Sequence, residues 1–479
     1  MPETLQQLSG QDAMFIHTEL DGLPQHIGGV SIYNQATAEG GVLRFKRILE
    51  LMHNRKHLLP ILSRKLVRVP MNLDQPYWTE DPDFDMEFHV RHIALPAPGD
   101  WRQLCILVSR LHSQPLDMNK PMWEMYIIEG LDNVEGLPPN CFAMLMKVHH
   151  AAMDGATGAR LIPMLHDLSP EITEYDAPEW QAPSAQPGNL QLLRRAYTNN
   201  LRKPSQAFNL VKNALPAWQR IRSGKKSGAF KSLSDKQTTR FQGKISRHRV
   251  VDATKLPFED LRSCKAAVSG ATVNDTVLTV VAGGLRRYLE AKNELPEQTL
   301  VTGCPIDVRT EEERSAGGNM VGFMNVALRT DVADPLERLQ AVHDEAQRSK
   351  AYAEALGPRI AMDVTDVMPG GMLNLAMRAA QSTGLAESGV IHNTIVTNVP
   401  GPPVQLYFCG AELVDGFSLG PLMPNMGLFH VVYSAVQNKQ GTITISFTAC
   451  REMMPDPAFY AQCLEDSFEE LKQACGVGS

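Results

Sequence analysis

The sequence of 479 residues contains no uninterrupted apolar run of the roughly 18 residues that a membrane-spanning helix needs. Two stretches, 388–411 and 416–438, lack Lys, Arg, Asp and Glu, but prolines and asparagines interrupt both of them. The N-terminus has neither the basic region nor the apolar region of a secretory signal. We therefore expect neither a transmembrane protein nor a secreted one.

Cysteines are few and show no clustered pattern. The eight of them are scattered, none forms a C-x-x-C pair, and most lie in apolar surroundings. Such residues are typical of small core side chains rather than of a disulfide framework. A reducing, cytoplasmic compartment is expected.

Acidic residues are missing from 181–234, although the whole chain carries a net charge of −7. This segment holds ten basic residues, which leaves 36 basic and 53 acidic residues, or −17, elsewhere. Apolar side chains are interleaved with the basic ones, from Leu192 and Leu193 to Tyr197, Trp218 and Ile221. The pattern over 190–231 favours an interfacial helix on anionic lipid. A solvated, partly helical linker is the alternative; the acidic remainder argues against nucleic-acid binding.

The length favours two domains, since a single compact core rarely grows this large. Prolines at 178, 183 and 187 mark a boundary. We therefore predict a first domain over 1–176, a Pro-rich and then basic linker over 177–245, and a second domain over 246–479. Strand and helix patterns mix in both halves, which predicts α/β sandwiches with a crevice between them.

Periodicity places the main elements. Predicted strands span 26–33, 122–128, 141–150, 299–307, 321–330, 427–437 and 442–450. Predicted helices span 42–52, 156–168, 271–292, 335–356 and 456–475. Asn438-Lys439-Gln440-Gly441 separates the last two strands as a hairpin turn.

A histidine pair ends the apolar stretch 141–148, in the string His149-His150-Ala151-Ala152-Met153-Asp154-Gly155. Because successive strand residues point to opposite faces, His149 and His150 cannot share one role. One can face a reaction channel while the other faces the core. Asp154 lies in the following turn, where its carboxylate can brace the site, and Gly155 allows backbone geometries that a side chain forbids.

The imidazole has an unperturbed pKa of about 6.5, which suits proton removal from a hydroxyl group near neutral pH. The structural alternative is a hydrogen-bonded core histidine. Half of a metal site is disfavoured, because the two rings diverge and no nearby His or Cys has the spacing to complete a zinc site.

The string resembles the HHxxxDG signature of the acyl-CoA-dependent acyltransferase superfamily. Further strings resemble one branch of it, the bacterial wax ester synthase/acyl-CoA:diacylglycerol acyltransferase (WS/DGAT) family. They are Leu8–Phe15, Pro115-Leu116-Asp117, Pro121-Met122-Trp123-Glu124, Asn274-Asp275 and Thr397-Asn398-Val399-Pro400-Gly401-Pro402. The likeness extends over essentially the whole chain, in length and in motif order.

This resemblance implies two chloramphenicol-acetyltransferase-like α/β sandwich domains with the active-site channel between them. It implies transfer of a fatty acyl group from coenzyme A to a fatty alcohol or to diacylglycerol, without a covalent enzyme intermediate. Acyl-CoA is a substrate, and no metal or other cofactor is implied. The enzyme is expected in the cytoplasm, in peripheral contact with the inner membrane or lipid inclusions through 190–231.

The resemblance also implies roles for individual residues. His150 maps to the general base, and Asn274 maps to a motif whose amide can donate to the oxyanion. Residues that support the site are His149, Asp154, Gly155, Asp275 and Arg309, the last as the expected partner of Asp154. Residues that line the channel are Glu19, His26, Thr397 and Asn398. Helix capping is the alternative interpretation of Asn274 and Asp275.

Three other functions compete. Gly416-Phe417-Ser418-Leu419-Gly420 fits the nucleophile elbow of a serine esterase, but that elbow must lead into a helix and Pro421 follows at once. A condensation-type acyltransferase that uses carrier-bound acyl groups would show the same histidine motif. A non-catalytic lipid-inclusion protein would depend on the basic segment alone.

Overall fold

The computed structural model describes residues 5–20, 22–153, 155–176, 186–201, 203, 237–307, 321–356, 375, 379, 383, 392–437 and 440–477. Within these residues the chain forms an α/β structure with two six-stranded sheets and one small sheet. The predicted fold class, two α/β sandwiches in one chain, is confirmed.

The helices lie on the faces of these sheets. In chain order they are α1 (Gly10–Thr18), α2 (Phe45–Arg55), α3 (Met86–His89), α4 (Trp101–Ser113), α5 (Gly155–Leu165), α6 (189–201), α7 (Phe258–Lys265), α8 (Val273–Ala291), α9 (Pro335–Leu356) and α10 (Pro457–Ala474).

The strands follow the same convention. They are β1 (Gln6–Gln7), β2 (His26–Asn34), β3 (Arg64–Val67), β4 (Tyr77–Glu80), β5 (Val90–Ala94), β6 (Trp123–Glu129), β7 (Cys141–His149), β8 (Arg249–Pro257), β9 (Val301–Asp307), β10 (Val321–Ala327), β11 (Thr394–Pro400), β12 (Tyr407–Phe408), β13 (Ala411–Leu419), β14 (Leu428–Gln437) and β15 (Gln440–Cys450).

The first large sheet has the order β12-β13-β2-β7-β6-β5, and its central strand β7 is buried along its whole length. Phe142, Met144 and Met146 face a core shared with α1 and α2. Ala143 and Leu145 face a second core shared with α4. Cover on both faces explains why β7 is a continuous apolar run rather than an alternating one.

The second large sheet has the order β10-β9-β11-β14-β15-β8, and its core is shared with α7, α8 and α10. Helices α8 and α10 approach closely at Gly284. A Cβ atom at this position would lie 2.6 Å from a methyl carbon of Leu464, so only glycine allows this distance without displacing the leucine.

The second half of the chain supplies two strands, β12 and β13, to the first large sheet. β13 lies far along the chain in the second half, yet it pairs with β2 in the first sheet, for example Phe417 with Val30. The indole nitrogen of Trp101 in α4 donates to Asp252 in β8 at 2.8 Å. The sheets therefore do not divide at the predicted linker 177–245, and the predicted domain bounds remain a prediction.

Element bounds agree with the sequence analysis to within a few residues, and α9 begins and ends where predicted. The strand predicted over 141–150 ends one residue earlier, because His150 begins a 3-10 turn. Helix α2 is displaced toward the C-terminus relative to the predicted 42–52. Among the described residues, no helix combines the length and the apolar content needed to span a bilayer.

A buried ion pair fixes the segment that follows α5. Arg55 and Asp167 are nearly inaccessible to solvent, and one guanidinium nitrogen lies 2.8 Å from each carboxylate oxygen. The same guanidinium donates to the carbonyl groups of Met164 and Thr173. Asp167 also pairs through its backbone with Tyr407. This cluster connects the histidine-bearing half to β12.

We expect Asp167→Ala to lower the free energy of unfolding by roughly 3–5 kcal/mol, because it leaves the Arg55 charge buried without its carboxylate. Urea titration followed by circular dichroism measures this loss. Glu290→Ala is the matched control, since it removes a surface i,i+4 pair with Arg286 and should cost only about 0.5 kcal/mol. Equal losses in the two variants would contradict the assignment.

Candidate active site

The histidine motif lies where β7 ends beside β2. The antiparallel register places His26 opposite His149, and the His149 amide donates to the carbonyl of Met122 at the start of β6. The His150 amide donates to the carbonyl of Gln25 just before β2. The main chain at both histidines is therefore held by neighbouring segments.

His149 is buried, and both of its ring nitrogens are engaged. Its Nε2 lies 2.7 Å from a carboxylate oxygen of Glu19, and its Nδ1 accepts from the Ala151 amide at 3.1 Å. The second bond caps the 3-10 turn that begins at His150. His149 is thus tied into the protein rather than presented to a substrate.

His150 has a different environment. Its ring stacks on Phe15 of α1, with centroids 4.0 Å apart and an interplanar angle of 8°, and the residue stays partly accessible to solvent. Burial of the ring, assisted by the neighbouring His149, lowers the pKa of His150 to about 4. The imidazole is therefore neutral near pH 7 and can accept a proton.

A pocket of about 350 Å³ opens beside this motif. Glu19 contributes to its wall, together with Ile16 and Leu20 from the end of α1. Arg68 and Arg247 supply basic groups, the second from the chain just before β8. Glu19 therefore faces both His149 and an open space, and its place along a substrate channel stays a prediction.

His26 does not line this pocket. Its residue is only 1% exposed, and its Nε2 lies 2.5 Å from the carbonyl oxygen of His112. Burial lowers the pKa of His26 well below its usual value, and nearby His112 and Lys147 act in the same direction. The expected channel role is corrected to a core position, because the β2 register turns this ring toward α4.

Asn274 and Asp275 lie in the first turn of α8, which packs on the second sheet. Asp275 forms a reciprocal capping box with Thr272, and its carboxylate lies 2.9 Å from Nδ1 of His343. The helix-capping interpretation therefore accounts for Asp275. Asn274 is partly exposed beside it and keeps its oxyanion role only as a prediction.

The remaining expected residues are dispersed. Thr397 is partly exposed and Asn398 is exposed, both on the outer part of β11. Gly155 begins α5. Asp154 and Arg309 lie outside the described residues, and so does their expected pairing. Within the described part of the chain, no three His, Cys, Asp or Glu side chains form a group that could hold a metal ion.

Two features of the site were not predicted. Phe15 belongs to the opening block that supports the family resemblance, but nothing in that block indicates that its ring stacks on His150. Lys147 is fully buried and pairs with Glu124 at 3.1 Å. In the sequence, a lysine within an apolar strand indicates a buried carboxylate partner, because an unpaired charge there is costly.

Ser418 lies in β13, where it pairs with Gly29, and its carbonyl accepts from the Ser446 hydroxyl. The strand ends at Leu419 and leads to an isolated bridge at Met423 and Met426 rather than to a helix. The strand-to-helix geometry of a nucleophile elbow is therefore absent here.

Two solved structures share the fold of this chain. The first condensation domain of the calcium-dependent antibiotic synthetase, in complex with a substrate analogue, matches over 99% of this chain and 97% of that one, with a TM-score of 0.56 at 14% identity. The wax ester synthase/diacylglycerol acyltransferase from Marinobacter aquaeolei VT8 matches over 98% and 100%, with a TM-score of 0.67 at 26% identity. The architecture is that of two-domain acyltransferases.

The particular family follows from sequence models. The wax ester synthase/diacylglycerol acyltransferase catalytic domain matches residues 8–277, and the WS/DGAT C-terminal domain matches residues 317–472. A provisionally named diacylglycerol O-acyltransferase of Mycobacterium tuberculosis is 31% identical over 98% of this chain and 90% of that protein. This chain belongs to the WS/DGAT family, and it is an acyltransferase.

We expect the His150 ring to titrate near pH 4, well below the pH of about 6.5 of a free imidazole. The lowered pKa means that the neutral form prevails at pH 7 and disappears only as the pH falls through about 4. NMR of protein labelled with ¹⁵N-histidine measures the midpoint, and His150→Gln assigns the resonance. A midpoint near 6.5 would contradict the burial described above.

Proposed function

We propose that this protein transfers a long-chain fatty acyl group from acyl-CoA to a fatty alcohol, giving a wax ester, or to diacylglycerol, giving triacylglycerol. His150 acts as the general base. The observation that carries the proposal is the contrast between the two adjacent rings. His149 is engaged at both nitrogens, whereas the His150 ring stacks on Phe15 and its lowered pKa keeps it neutral at pH 7.

The proposed reaction passes through a ternary complex. His150 removes the hydroxyl proton of the acceptor as its oxygen attacks the thioester carbonyl carbon. The tetrahedral oxyanion collapses, the carbon–sulfur bond breaks, and the ester forms. The proton on His150 passes to the coenzyme A thiolate, so that the histidine returns to its neutral form. Holding both substrates in line supplies much of the rate.

The low pKa of His150 has opposite effects on the two proton transfers. A pKa of about 4 makes the ring a weaker base than free imidazole, but it keeps nearly all of the enzyme in the reactive form at pH 7. The protonated ring is correspondingly a strong acid, which favours rapid return of the proton to the departing thiolate.

Asn274 is proposed as the oxyanion donor. Its position at the start of α8 supports this role, because backbone N–H groups at a helix N-terminus also favour negative charge. Removal of such a donor typically costs about 3–4 kcal/mol of transition-state stabilisation. Asp154 and Arg309, which lie outside the described residues, are proposed as a structural pair, as the family resemblance implies.

The main alternative is an acyltransferase that requires a carrier protein, as in condensation domains. It is distinguished by turnover of free palmitoyl-CoA with hexadecanol in the absence of any carrier. Serine esterase activity is disfavoured by the strand geometry at Ser418. Ser418→Ala should therefore keep full acyl transfer.

We expect His150→Ala to lower the rate of thiol release from palmitoyl-CoA by roughly 10²- to 10⁴-fold, with hexadecanol or diacylglycerol as acceptor. His92→Ala is the control, since that ring lies at the surface beside Glu129 and should leave the rate unchanged. Circular dichroism verifies that both variants are folded. A folded His150→Ala variant with normal turnover would remove His150 from the mechanism.

Peripheral contact with lipid is also proposed, and α6 supports it. Leu192 and Ala196 are buried against Leu5, Val69 and Tyr77, so that one face of α6 packs on the protein. Leu192 is therefore a core residue, although the sequence pattern grouped it with the interfacial side chains. Residues 204–231 of the basic segment lie outside the described residues.

The opposite face of α6 points outward. Leu190, Tyr197 and Leu201 are 82%, 68% and 64% exposed, and the exposed Arg194 lies between them at helical spacing. The turn at Met71 continues this surface, because the Asn200 side chain donates to the Leu73 carbonyl. Exposed apolar side chains with basic neighbours are what an interfacial helix requires.

We expect the triple variant Leu190→Gln, Tyr197→Gln, Leu201→Gln to lose binding to vesicles of phosphatidylglycerol and phosphatidylcholine. These side chains are solvated in the folded protein, so thermal stability should not fall. Flotation measures the bound fraction, and acylation of water-soluble short-chain alcohols should be retained. Val42→Gln is the control for an exposed apolar residue elsewhere. Unchanged flotation of the triple variant would rule out this surface.

A further inference from the structure

The pair formed by Glu19 and His149 takes part in no step of the proposed reaction. The His149 side chain is 1% exposed and the Glu19 side chain 15% exposed, and their nearest atoms lie 2.7 Å apart. The Glu19 carboxylate also accepts weakly from the Gln25 amide, at 3.4 Å. An ionisable pair in such a position is costly to bury, so its retention suggests a role beyond stability.

The hydrogen bonds define the tautomer of His149. The Ala151 amide can only donate, so Nδ1 of His149 must carry a lone pair. The ring hydrogen of the neutral imidazole is then on Nε2, where it points at the Glu19 carboxylate. The opposite tautomer would lose both bonds and direct a hydrogen atom at the Ala151 amide.

This tautomer controls the backbone that presents His150. The bond from the Ala151 amide to His149 caps the 3-10 turn His150–Ala152, of which His150 is the first residue. A rotation of the His149 ring would release this cap and leave the main chain at His150 held only by its bonds to Gln25 and Met153. The two adjacent histidines are therefore mechanically coupled.

Helix α1 makes a second contact with the same turn. Phe15 stacks on the His150 ring, and Glu19 follows the last residue of α1 directly. One short helix therefore holds both histidines, one by a stacked ring and the other by a carboxylate. A displacement of α1 would disturb the two contacts together.

We infer that Glu19 is a positioning residue for acyl transfer. Its carboxylate selects the Nε2–H tautomer of His149, which caps the turn and holds the His150 ring in line with the acceptor hydroxyl. This inference rests on the proposed function of His150. It assigns Glu19 a role distinct from substrate contact, although the side chain also faces the pocket.

The test compares Glu19→Leu with Glu19→Gln. Glu19→Leu should lower kcat by roughly 100-fold through misplacement of the base, while KM for palmitoyl-CoA and for hexadecanol stays unchanged. Glu19→Gln should keep most of the rate, because its amide oxygen can still accept from Nε2 of His149. Glu129→Leu is the matched control, since it breaks a solvent-exposed Glu–His pair of 3.0 Å with His92.

A spectroscopic readout separates positioning from simple destabilisation. In protein labelled with ¹⁵N-histidine, His149 should show the Nε2–H tautomer in the wild type and in Glu19→Gln. In Glu19→Leu the same resonance should show mixed tautomers, while circular dichroism verifies that the variant is folded. His149→Gln assigns the signal.

Two results would overturn the inference. One is a folded Glu19→Leu variant with the wild-type kcat. The other is a raised KM for a single substrate at unchanged kcat, which would make Glu19 a substrate contact. If His150→Ala itself is fully active, the proposed role of His150 as general base fails, and the inference about Glu19 fails with it. If His150→Ala is inactive while Glu19→Leu is normal, only the role of Glu19 fails.

Discussion

The turn that ends strand β7 between His149 and His150 is the constraint on which this site depends. At the end of β7, His149 continues the strand and points into the protein, where Glu19 meets it. His150 is the first residue after the strand, and its ring stacks on Phe15. Adjacent residues of the same type therefore acquire different environments, one anchored by hydrogen bonds at both ring nitrogens and the other stacked on an aromatic ring.

Much of the fold could be predicted from the sequence because its signals are local. Apolar runs identified β7 and β14, and helical periodicity gave α9 to the residue. The position of β13 could not be predicted in this way. Its pairing with β2 joins segments nearly 400 residues apart in the chain, and an apolar strand carries no information about which sheet it will enter.

The same difference between local and long-range signals applies to the candidate site. The histidine string and helix capping at Asp275 are short-range patterns, so the sequence indicated both. Glu19 was expected only to line a channel, because its contact with His149 spans 130 positions along the chain. The burial of His26 depends on strand register and on the packing of α4, neither of which a single segment defines.

The position of β13 in the first sheet also determines how this chain can be divided. A fragment that ends in the basic linker would lack the neighbour of β2 and would expose an unpaired strand edge, which is prone to aggregation. The complementary fragment would carry β12 and β13 without β2, the strand beside which β13 pairs. The first sheet is therefore complete only when both halves are present. Active protein could be reconstituted from two pieces only when they fold together.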